Sequence, residues 1–134
     1  MAHFSERVKQ VDIPLDQMVV IGSGLLDAWG LRDADDIDLV VSQRIFDELK
    51  ATGEFTEGHK NASPYLEKDQ LEIWTDWKDD LTFEQLAASA ITIDDVMYVN
   101  PAILIARKAV RGSDKDRRDI ELIGAYLKIH VSAN

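Results

Sequence analysis

The chain contains no cysteine, only three prolines and no long apolar run, and these absences narrow what it can be. Without cysteine there is no disulfide framework, no thiolate metal site and no thiol redox chemistry. No apolar stretch has the length needed to cross a bilayer, and no cationic leader precedes an apolar segment. We therefore expect a globular protein with no membrane partner and, by default, a cytoplasmic location.

Positive charge is also scarce. Lysine and arginine number 15 against 25 aspartate and glutamate residues, which gives a formal net charge of −10. Nucleic-acid backbones and anionic membranes bind cationic patches, so this balance argues against nonspecific binding to either. It leaves room for a divalent cation, or for a nucleotide that arrives with one. At 134 residues and 46% hydrophobic content, we expect a single domain, 1–134, with one core.

Hydrophobic patterning predicts an alternation of strands and helices. The expected fold class is α/β or α+β, a small mixed β-sheet flanked by helices with a helical C-terminal segment at 100–130. The region 54–70 is turn-rich, with one or two weak strands. The predicted strands are 18–22, 36–41, 70–77 and 91–99 (a strand or hairpin), and the predicted helices are 4–11, 23–31, 43–53, 82–90, 101–111 and about 114–129.

Capping residues support several of these helices. Thr82 and Gln85 have the spacing of a capping box. Asn100 followed by proline is a typical helix start, because Asn caps well and proline suits the first helical position. Ser23 is available as the N-cap of the helix that follows the first strand.

Aspartates 36 and 38 lie two residues apart in a predicted apolar strand, where aspartate is unusual. Residues at i and i+2 of a strand share a face, so both carboxylates point the same way while Ile37 and Leu39 point into the core. Glu72, between Leu71 and Ile73, has a similar setting in the next strand. Three carboxylates on neighbouring strands would converge at one place.

Such convergence needs compensation. Two carboxylates about 4 Å apart repel by roughly 4 kcal/mol at an effective dielectric constant near 20. Mg²⁺ or Mn²⁺ removes the conflict, because these ions prefer oxygen ligands. The sequence Gly22-Ser23-Gly24, between a strand and a helix, offers backbone N–H groups and a hydroxyl to a phosphate. Together the two features indicate phosphoryl-transfer chemistry.

With these carboxylates and this Gly-Ser motif, the sequence resembles the nucleotidyltransferase superfamily, which has the DNA polymerase β-like fold. The signature is an apolar residue before Gly-Gly or Gly-Ser, then two acidic residues alternating with apolar ones, then an acidic residue between apolar neighbours. The resemblance covers about 18–77 and extends more loosely to 103–123. The matching motifs are Ile21-Gly22-Ser23, Asp36-Ile37-Asp38-Leu39 and Leu71-Glu72-Ile73.

The resemblance implies roles for these residues. Gly22 and Ser23 would hold the phosphates of a nucleoside triphosphate, and Asp36 and Asp38 would ligate the metal. Glu72 would be the third carboxylate, a metal ligand that helps to activate an acceptor hydroxyl. Candidates for triphosphate or acceptor contacts in the C-terminal segment are Lys108, Arg111 and Lys115.

Some assignments stay open at this stage. Asp76 would share a strand face with Glu72 and could replace it. Other acidic residues precede Asp38, among them Asp33 and Asp35, although alternation favours 36 and 38 as the chelating pair. We expect Arg32 to pair locally with this acidic run. Without a functional role, Asp36 and Asp38 would lie in an edge strand with solvated carboxylates, which the apolar residues on both sides argue against.

A purely structural role is also expected for the charged cluster near the C-terminal segment. Basic residues alternate there with acidic ones, which usually indicates a solvated helix face with i,i+4 pairs. The residues are Lys115, Arg117 and Arg118 with Asp114, Asp116 and Asp119.

The tryptophans are expected in core or rim packing rather than as stacking platforms for bases. They are Trp29, Trp74 and Trp77.

Two functional hypotheses follow. The first is an enzyme that transfers a nucleoside monophosphate from a nucleoside triphosphate to a hydroxyl of a small molecule or protein. The second is a catalytically weak or inactive protein of the same fold that acts through a protein partner, such as the antitoxin-like component of a bacterial two-protein system. A nucleotide-binding but inactive domain is a third variant. Fold-level resemblance cannot separate them, because function resides in the site.

Overall fold

The computed structural model describes residues 3–60, 63–78 and 80–132. Within these residues it has nine strands and six α-helices. A 3₁₀ turn at Leu15–Gln17 precedes the first strand. The elements are α1 (His3–Lys9), β1 (Met18–Ile21), α2 (Gly24–Ala28), β2 (Ile37–Val41), α3 (Gln43–Ala51), β3 (Thr56–Lys60), β4 (Ser63–Lys68), β5 (Leu71–Trp74), β6 (Asp76–Trp77), β7 (Leu81–Thr82), α4 (Phe83–Ser89), β8 (Ile91–Ile93), β9 (Val96–Tyr98), α5 (Pro101–Arg111) and α6 (Asp114–Ser132).

Seven strands form one mixed sheet in the order β3-β4-β5-β2-β1-β9-β8, and β6 and β7 form a separate pair. β2 runs antiparallel to β1 and parallel to β5, and β1 runs parallel to β9. The predicted mixed α/β architecture with flanking helices is confirmed. The sheet is larger than expected, because the turn-rich region 54–70 contributes two full strands, β3 and β4.

The two central strands are the most deeply buried. All four residues of β1 are buried, and β2 is buried except at Asp38, which is partly exposed. Central strands are covered on both faces, which explains why both read as nearly continuous β-branched runs. The helices cover them with fully buried apolar side chains. These include Phe4, Leu25, Leu86, Leu104 and Ile123.

The predicted helix starts are confirmed with one exception. Thr82 and Gln85 form the reciprocal capping box of α4. The Asn100 side chain accepts the N–H of Ala102, and a proline begins α5. Ser23 occupies the N-cap position of α2, but its side chain makes no capping hydrogen bond. Its hydroxyl is used elsewhere, as shown below.

Two strand predictions need correction. The strand predicted at 70–77 ends at Trp74, and Asp76 belongs to β6, which pairs with β7 instead of continuing the main sheet. The strand predicted from 36 begins at Ile37, so Asp36 lies in the preceding loop and is exposed. The segment 91–99 is a hairpin of β8 and β9, one of the two forms expected. Among the described helices, none has both the length and the apolar character of a membrane span.

Candidate functional site

The predicted site residues meet in one cleft. Its volume is about 540 Å³, and its walls are the end of β1, the loop before β2, the strands β2 and β5, and one side of α5. Residues from four separate stretches of sequence therefore converge at one place. The residues that were predicted and line the cleft are Gly22, Ser23, Asp36, Asp38, Glu72, Lys108, Arg111 and Lys115.

The bend after β1 brings backbone close to the carboxylates. Gly22 has φ +70°, a conformation that side chains disfavour. A Cβ at this position would lie 3.1 Å from Oδ2 of Asp38. Gly24 is constrained differently, because a Cβ there would come within 2.6 Å of both Phe4 and Val20. Glycine at both positions lets the chain turn tightly between the core and the cleft.

Strand register places two of the predicted carboxylates side by side. Asp38 of β2 is the Cα partner of Glu72 in parallel β5 and of Ile21 in antiparallel β1. Neighbouring residues in register point to the same face of a sheet. The alternation that puts Leu39 and Ile73 fully into the core therefore directs Asp38 and Glu72 into the cleft.

Asp38 has an energetically unfavourable position. The pKa of its carboxyl is raised to about 6, mainly by burial and also by the charges of Glu72 and Asp36, while the charge of Lys60 opposes the rise. A raised pKa means that the ionised carboxylate is destabilised relative to water. A cation at this place would offset that cost. Strongly shifted carboxyls in clefts are typical of functional sites.

The three carboxylates supply the oxygen ligands that Mg²⁺ and Mn²⁺ prefer, but they are not gathered into a closed cage. Over 3–60, 63–78 and 80–132, no group of three or more His, Cys, Asp or Glu side chains has a geometry ready for a metal ion. Asp36 is exposed in its loop, whereas Asp38 and Glu72 are adjacent on the sheet. The donor chemistry and the cost at Asp38 fit a divalent cation.

Positive charge and a hydroxyl group meet in the part of the cleft around Ser23, which we call the anion end. The hydroxyl oxygen of Ser23 accepts hydrogen bonds from Nη2 of Arg32 at 2.8 Å and from Nζ of Lys108 at 3.3 Å. The side chain of Lys108 is only 4% exposed, and that of Arg32 is 24% exposed. Two cations and a hydroxyl at the start of α2 form a place that suits phosphate oxygens.

Asp119 of α6 holds both cations. Its carboxylate accepts Nε and Nη2 of Arg32, each at 2.7 Å, and Nζ of Lys108 at 2.9 Å. Burial acts to raise the pKa of Asp119, but the hydrogen bonds from Arg32 and Lys108 outweigh it and lower that pKa. The expected local ion pair of Arg32 with the nearby acidic run is therefore wrong, because its salt-bridge partner is 87 residues away.

A second buried carboxylate fixes Arg111 at the edge of the cleft. Asp116 is fully buried and accepts Nε and Nη2 of Arg111 at 2.8 and 2.6 Å, and the hydroxyl of Ser113 at 2.7 Å. The Arg111 hydrogen bonds hold the pKa of Asp116 well below its usual range. The expected solvated helix face is thus wrong for Asp116 and Asp119, although Lys115, Arg117 and Arg118 are exposed.

Another part of the cleft, which we call the aromatic end, contains tryptophans and cations. Trp74 stacks on Tyr65 with ring centroids 4.6 Å apart, and Nζ of Lys60 lies 5.8 Å from the Trp74 ring. The guanidinium of Arg107 lies 5.2 Å from the Trp77 ring. Both tryptophans are half-buried at the rim, in agreement with the rim packing expected of them.

Asp76 lies outside this arrangement. Its carboxylate accepts the hydroxyl of Ser63 at 2.7 Å, and it is not among the described residues that line the cleft. Glu72, rather than Asp76, is the carboxylate that the structure puts beside Asp38.

Sequence reasoning missed Asp119 and misjudged Arg32. One signal was present: residues 116, 119, 123 and 127 follow helical spacing, so two aspartates share a face with Ile123 and Leu127. Aspartates on the apolar face of a helix need buried partners. That pattern predicts buried ion pairs, although it does not name the cations.

No family model matches this chain, and no curated protein matches its sequence. Function is therefore inferred from the residues of the cleft and their geometry.

Proposed function

We propose that this protein is a nucleotidyltransferase-like enzyme that transfers a nucleoside monophosphate from a nucleoside triphosphate to a hydroxyl group of a small molecule or a protein, with Mg²⁺ or Mn²⁺. The observation that supports this most strongly is the juxtaposition within one cleft. The in-register carboxylates of Asp38 and Glu72 lie beside the bend that carries Ser23, where Arg32 and Lys108 supply positive charge.

The anion end suits the leaving part of the triphosphate. Ser23 and Lys108, with Arg32 behind them, would bind oxygens of the β- and γ-phosphates through charge-assisted hydrogen bonds. The glycine at 22 leaves room for those oxygens to approach the backbone close to Asp38. Binding there would put the α-phosphate over the carboxylates, because the bend directly follows the strand that pairs with Asp38.

Glu72 is the best candidate to receive the proton of the acceptor. The acceptor oxygen attacks the α-phosphorus, the bond between the α-phosphorus and the bridging oxygen breaks, and pyrophosphate leaves. The hydroxyl proton passes to the Glu72 carboxylate, which acts as general base. A divalent cation bound by Asp36, Asp38 and Glu72 would neutralise charge on the reacting phosphate. The aromatic end with Trp74 and Trp77 would then contact the acceptor or the nucleoside.

Label transfer from an α-labelled nucleoside triphosphate in the presence of Mg²⁺ tests this proposal. We expect the wild-type protein to transfer label to an acceptor, and Asp38→Asn to abolish the transfer. Removal of the proposed base in Glu72→Gln should slow transfer by roughly 10²- to 10⁴-fold. The acceptors to screen are polyols, amino sugars and protein hydroxyls, which cover both the small molecules and the proteins of the proposal.

A glycine pair supplies a matched control. Gly22→Ala and Gly30→Ala carry a similar backbone cost, because φ is +70° and +74°, respectively. Only the first puts a Cβ against Asp38, since nothing lies within 4 Å of a Cβ at Gly30. We expect Gly22→Ala to lose transfer and Gly30→Ala to retain it. Equal activity in both variants would contradict a reaction centre beside Asp38.

The partner hypothesis gives a different result in the same experiments. A protein that acts only through a partner would form a stoichiometric complex that survives the combined change Asp36→Ala and Asp38→Ala. It would transfer no label to any acceptor. If the wild-type protein binds no triphosphate with or without Mg²⁺, the nucleotide proposals fail together.

A further inference from the structure

We propose that Asp119 is a positioning residue for the anion end of the cleft: it holds Arg32 and Lys108 so that the Ser23 hydroxyl directs its hydrogen at the bound anion. This inference rests on the proposed function, in which that end receives the phosphates. It assigns to a buried carboxylate on α6 the task of preparing a binding site that is formed by the start of α2 and by α5.

The first step concerns the hydrogen bonds that Asp119 accepts. Its side chain is 2% exposed, and its two oxygens accept three charge-assisted hydrogen bonds, two from Arg32 and one from Lys108. A bidentate guanidinium contact fixes the plane of the arginine as well as its distance. Arg32 is consequently held with its Nη2 group 2.8 Å from the hydroxyl oxygen of Ser23.

The second step is the hydrogen-bond inventory of Ser23. Its oxygen accepts from Arg32 and from Lys108, and neither cation can accept a hydrogen bond in return. The single hydroxyl hydrogen must therefore point elsewhere. Within the described part of the chain, no acceptor is recorded for it, and Ser23 lines the cleft. An anion oxygen in the cleft is the natural acceptor.

The third step is charge. The cluster contains three cations, Arg32, Lys108 and Arg111, and two buried carboxylates, Asp116 and Asp119. Cations therefore outnumber carboxylates by one, and they range from Lys108, whose side chain is 4% exposed, to Arg111, which is 59% exposed at the edge of the cleft. A phosphate oxygen would neutralise that excess without displacing either carboxylate.

Asp119, rather than Asp116, prepares the Ser23 site. Nζ of Lys108 lies 2.9 Å from Asp119 but 3.9 Å from Asp116. Asp116 is committed to Arg111 and to Ser113, which join α5 and α6. Loss of Asp119 should thus loosen both cations behind Ser23, whereas the helix junction keeps its own contacts.

Calorimetry with inorganic tripolyphosphate as the probe tests the inference on the full chain. In Asp119→Asn an amide NH₂ group, which can only donate, replaces one oxygen that accepts from Arg32 or Lys108. We therefore expect the affinity for tripolyphosphate to fall roughly 10- to 100-fold. Ile123→Ala is the control for instability, because it opens a cavity one turn along the same helix and removes no hydrogen bond or charge of the cluster. Its affinity should stay within about threefold of wild type.

A double-mutant cycle separates positioning from general structure. If Asp119 acts through Ser23, the loss caused by Asp119→Asn should shrink below about threefold in a Ser23→Ala background. A merely structural role would give the same loss in both backgrounds and would overturn the inference. If Asp119→Asn does not fold, Asp119→Glu keeps the charge but displaces the carboxylate, and we expect at least about threefold weaker binding.

The outcomes also separate this inference from the proposed function. If the wild type binds tripolyphosphate and Asp119→Glu or Asp119→Asn binds it with the same affinity, the positioning role is overturned and the enzyme proposal stands. Binding that depends on Asp119, in a protein that transfers no label, supports the positioning role and overturns the enzyme proposal. Absence of any tripolyphosphate binding by the wild type overturns both.

Discussion

At the scale of single residues, Asp38 shows how a site can oppose the stability of its own fold. Burial first, then Glu72 and Asp36, raise the pKa of its carboxyl from 3.8 to about 6. The folded protein therefore binds this proton more tightly than the unfolded chain does. Its favourable effect is fully present below about pH 4 and is lost as the pH rises through about 6.

Asp38→Asn should remove this loss. We compare the unfolding free energies of Asp38→Asn and wild type in the absence of divalent cations. Between pH 4 and pH 7.5, the difference between the two proteins should shift by up to about 3 kcal/mol in favour of the variant. Urea unfolding at both pH values measures it. Saturating Mg²⁺ should narrow the gap by stabilising wild type alone. Asp36→Asn, at an exposed position, should change stability by less than about 0.5 kcal/mol. A pH-independent gap would contradict the burial of Asp38.

Residue-level prediction gave the side-chain direction correctly inside the strands. An acidic residue between apolar neighbours implies that its side chain points away from the core, and the structure brings Asp38 and Glu72 to one cleft with Gly22. The same reasoning was wrong for Asp36, because β2 begins only at Ile37. Residue-level prediction also failed for Arg32, because the choice between the acidic run and Asp119 depends on how α6 packs against α2. Local spacing contains no information on that packing.

At the scale of elements, helix α1 fixes the loop that carries Asp36. The guanidinium of Arg7 donates to the carbonyl oxygens of Ala34 and Asp35, and the N–H of Ala34 donates to the Asp27 carboxylate at 2.8 Å. The loop between α2 and β2 is thus tied to two helices. Because this loop leads directly into β2, its position determines how Asp36 approaches the cleft.

Arg7→Ala should release this loop. We expect faster hydrogen exchange of the amides at 34–37 and roughly tenfold slower transfer, because small displacements of reacting groups are costly. The control is Lys9→Ala, which removes only a surface ion pair with Glu6 on the same helix. If the amides at 34–37 exchange equally in both variants, the loop owes its order to Asp27 instead.

The elements themselves were largely predictable, and their errors have physical causes. Capping residues at 82 and 100 fixed the starts of α4 and α5, because these signals act within one turn. The strand at 70–77 was predicted too long, since alternation continues through Thr75 while main-sheet pairing ends at Trp74. Periodicity reports which residues face a core, and it does not report where a partner strand stops.

At the scale of the whole molecule, charge is distributed unevenly. The chain carries a net charge of −10, yet seven lysine and arginine residues line the cleft against five aspartate and glutamate residues. Seven of only 15 basic residues therefore face one cavity. A polyanion would be repelled by most of the surface and attracted at the cleft, which favours a compact, multiply charged ligand over an extended nucleic acid.

Linkage between ligands and folding gives a test at this scale. At 100 times its dissociation constant, a ligand that binds only the folded state adds about 2.7 kcal/mol, which should raise the melting temperature by roughly 10 °C for a chain of this size. We expect Mg²⁺ and a nucleoside triphosphate together to stabilise more than the sum of their separate effects. Each contributes the charge that the other lacks, the cation at Asp38 and Glu72 and the phosphates at Lys108.

The same melting experiment isolates the carboxylates. In Asp38→Asn the excess stabilisation by the pair should vanish, while the effect of triphosphate alone persists, because the anion end is intact. Raising the salt concentration should reduce the triphosphate effect in both proteins, since an anion held partly by exposed cations is screened. Equal synergy in wild type and Asp38→Asn would mean that the cation travels with the phosphates and does not bind the strand carboxylates. The acidic residues of β2 and β5 would then have no part in binding the metal.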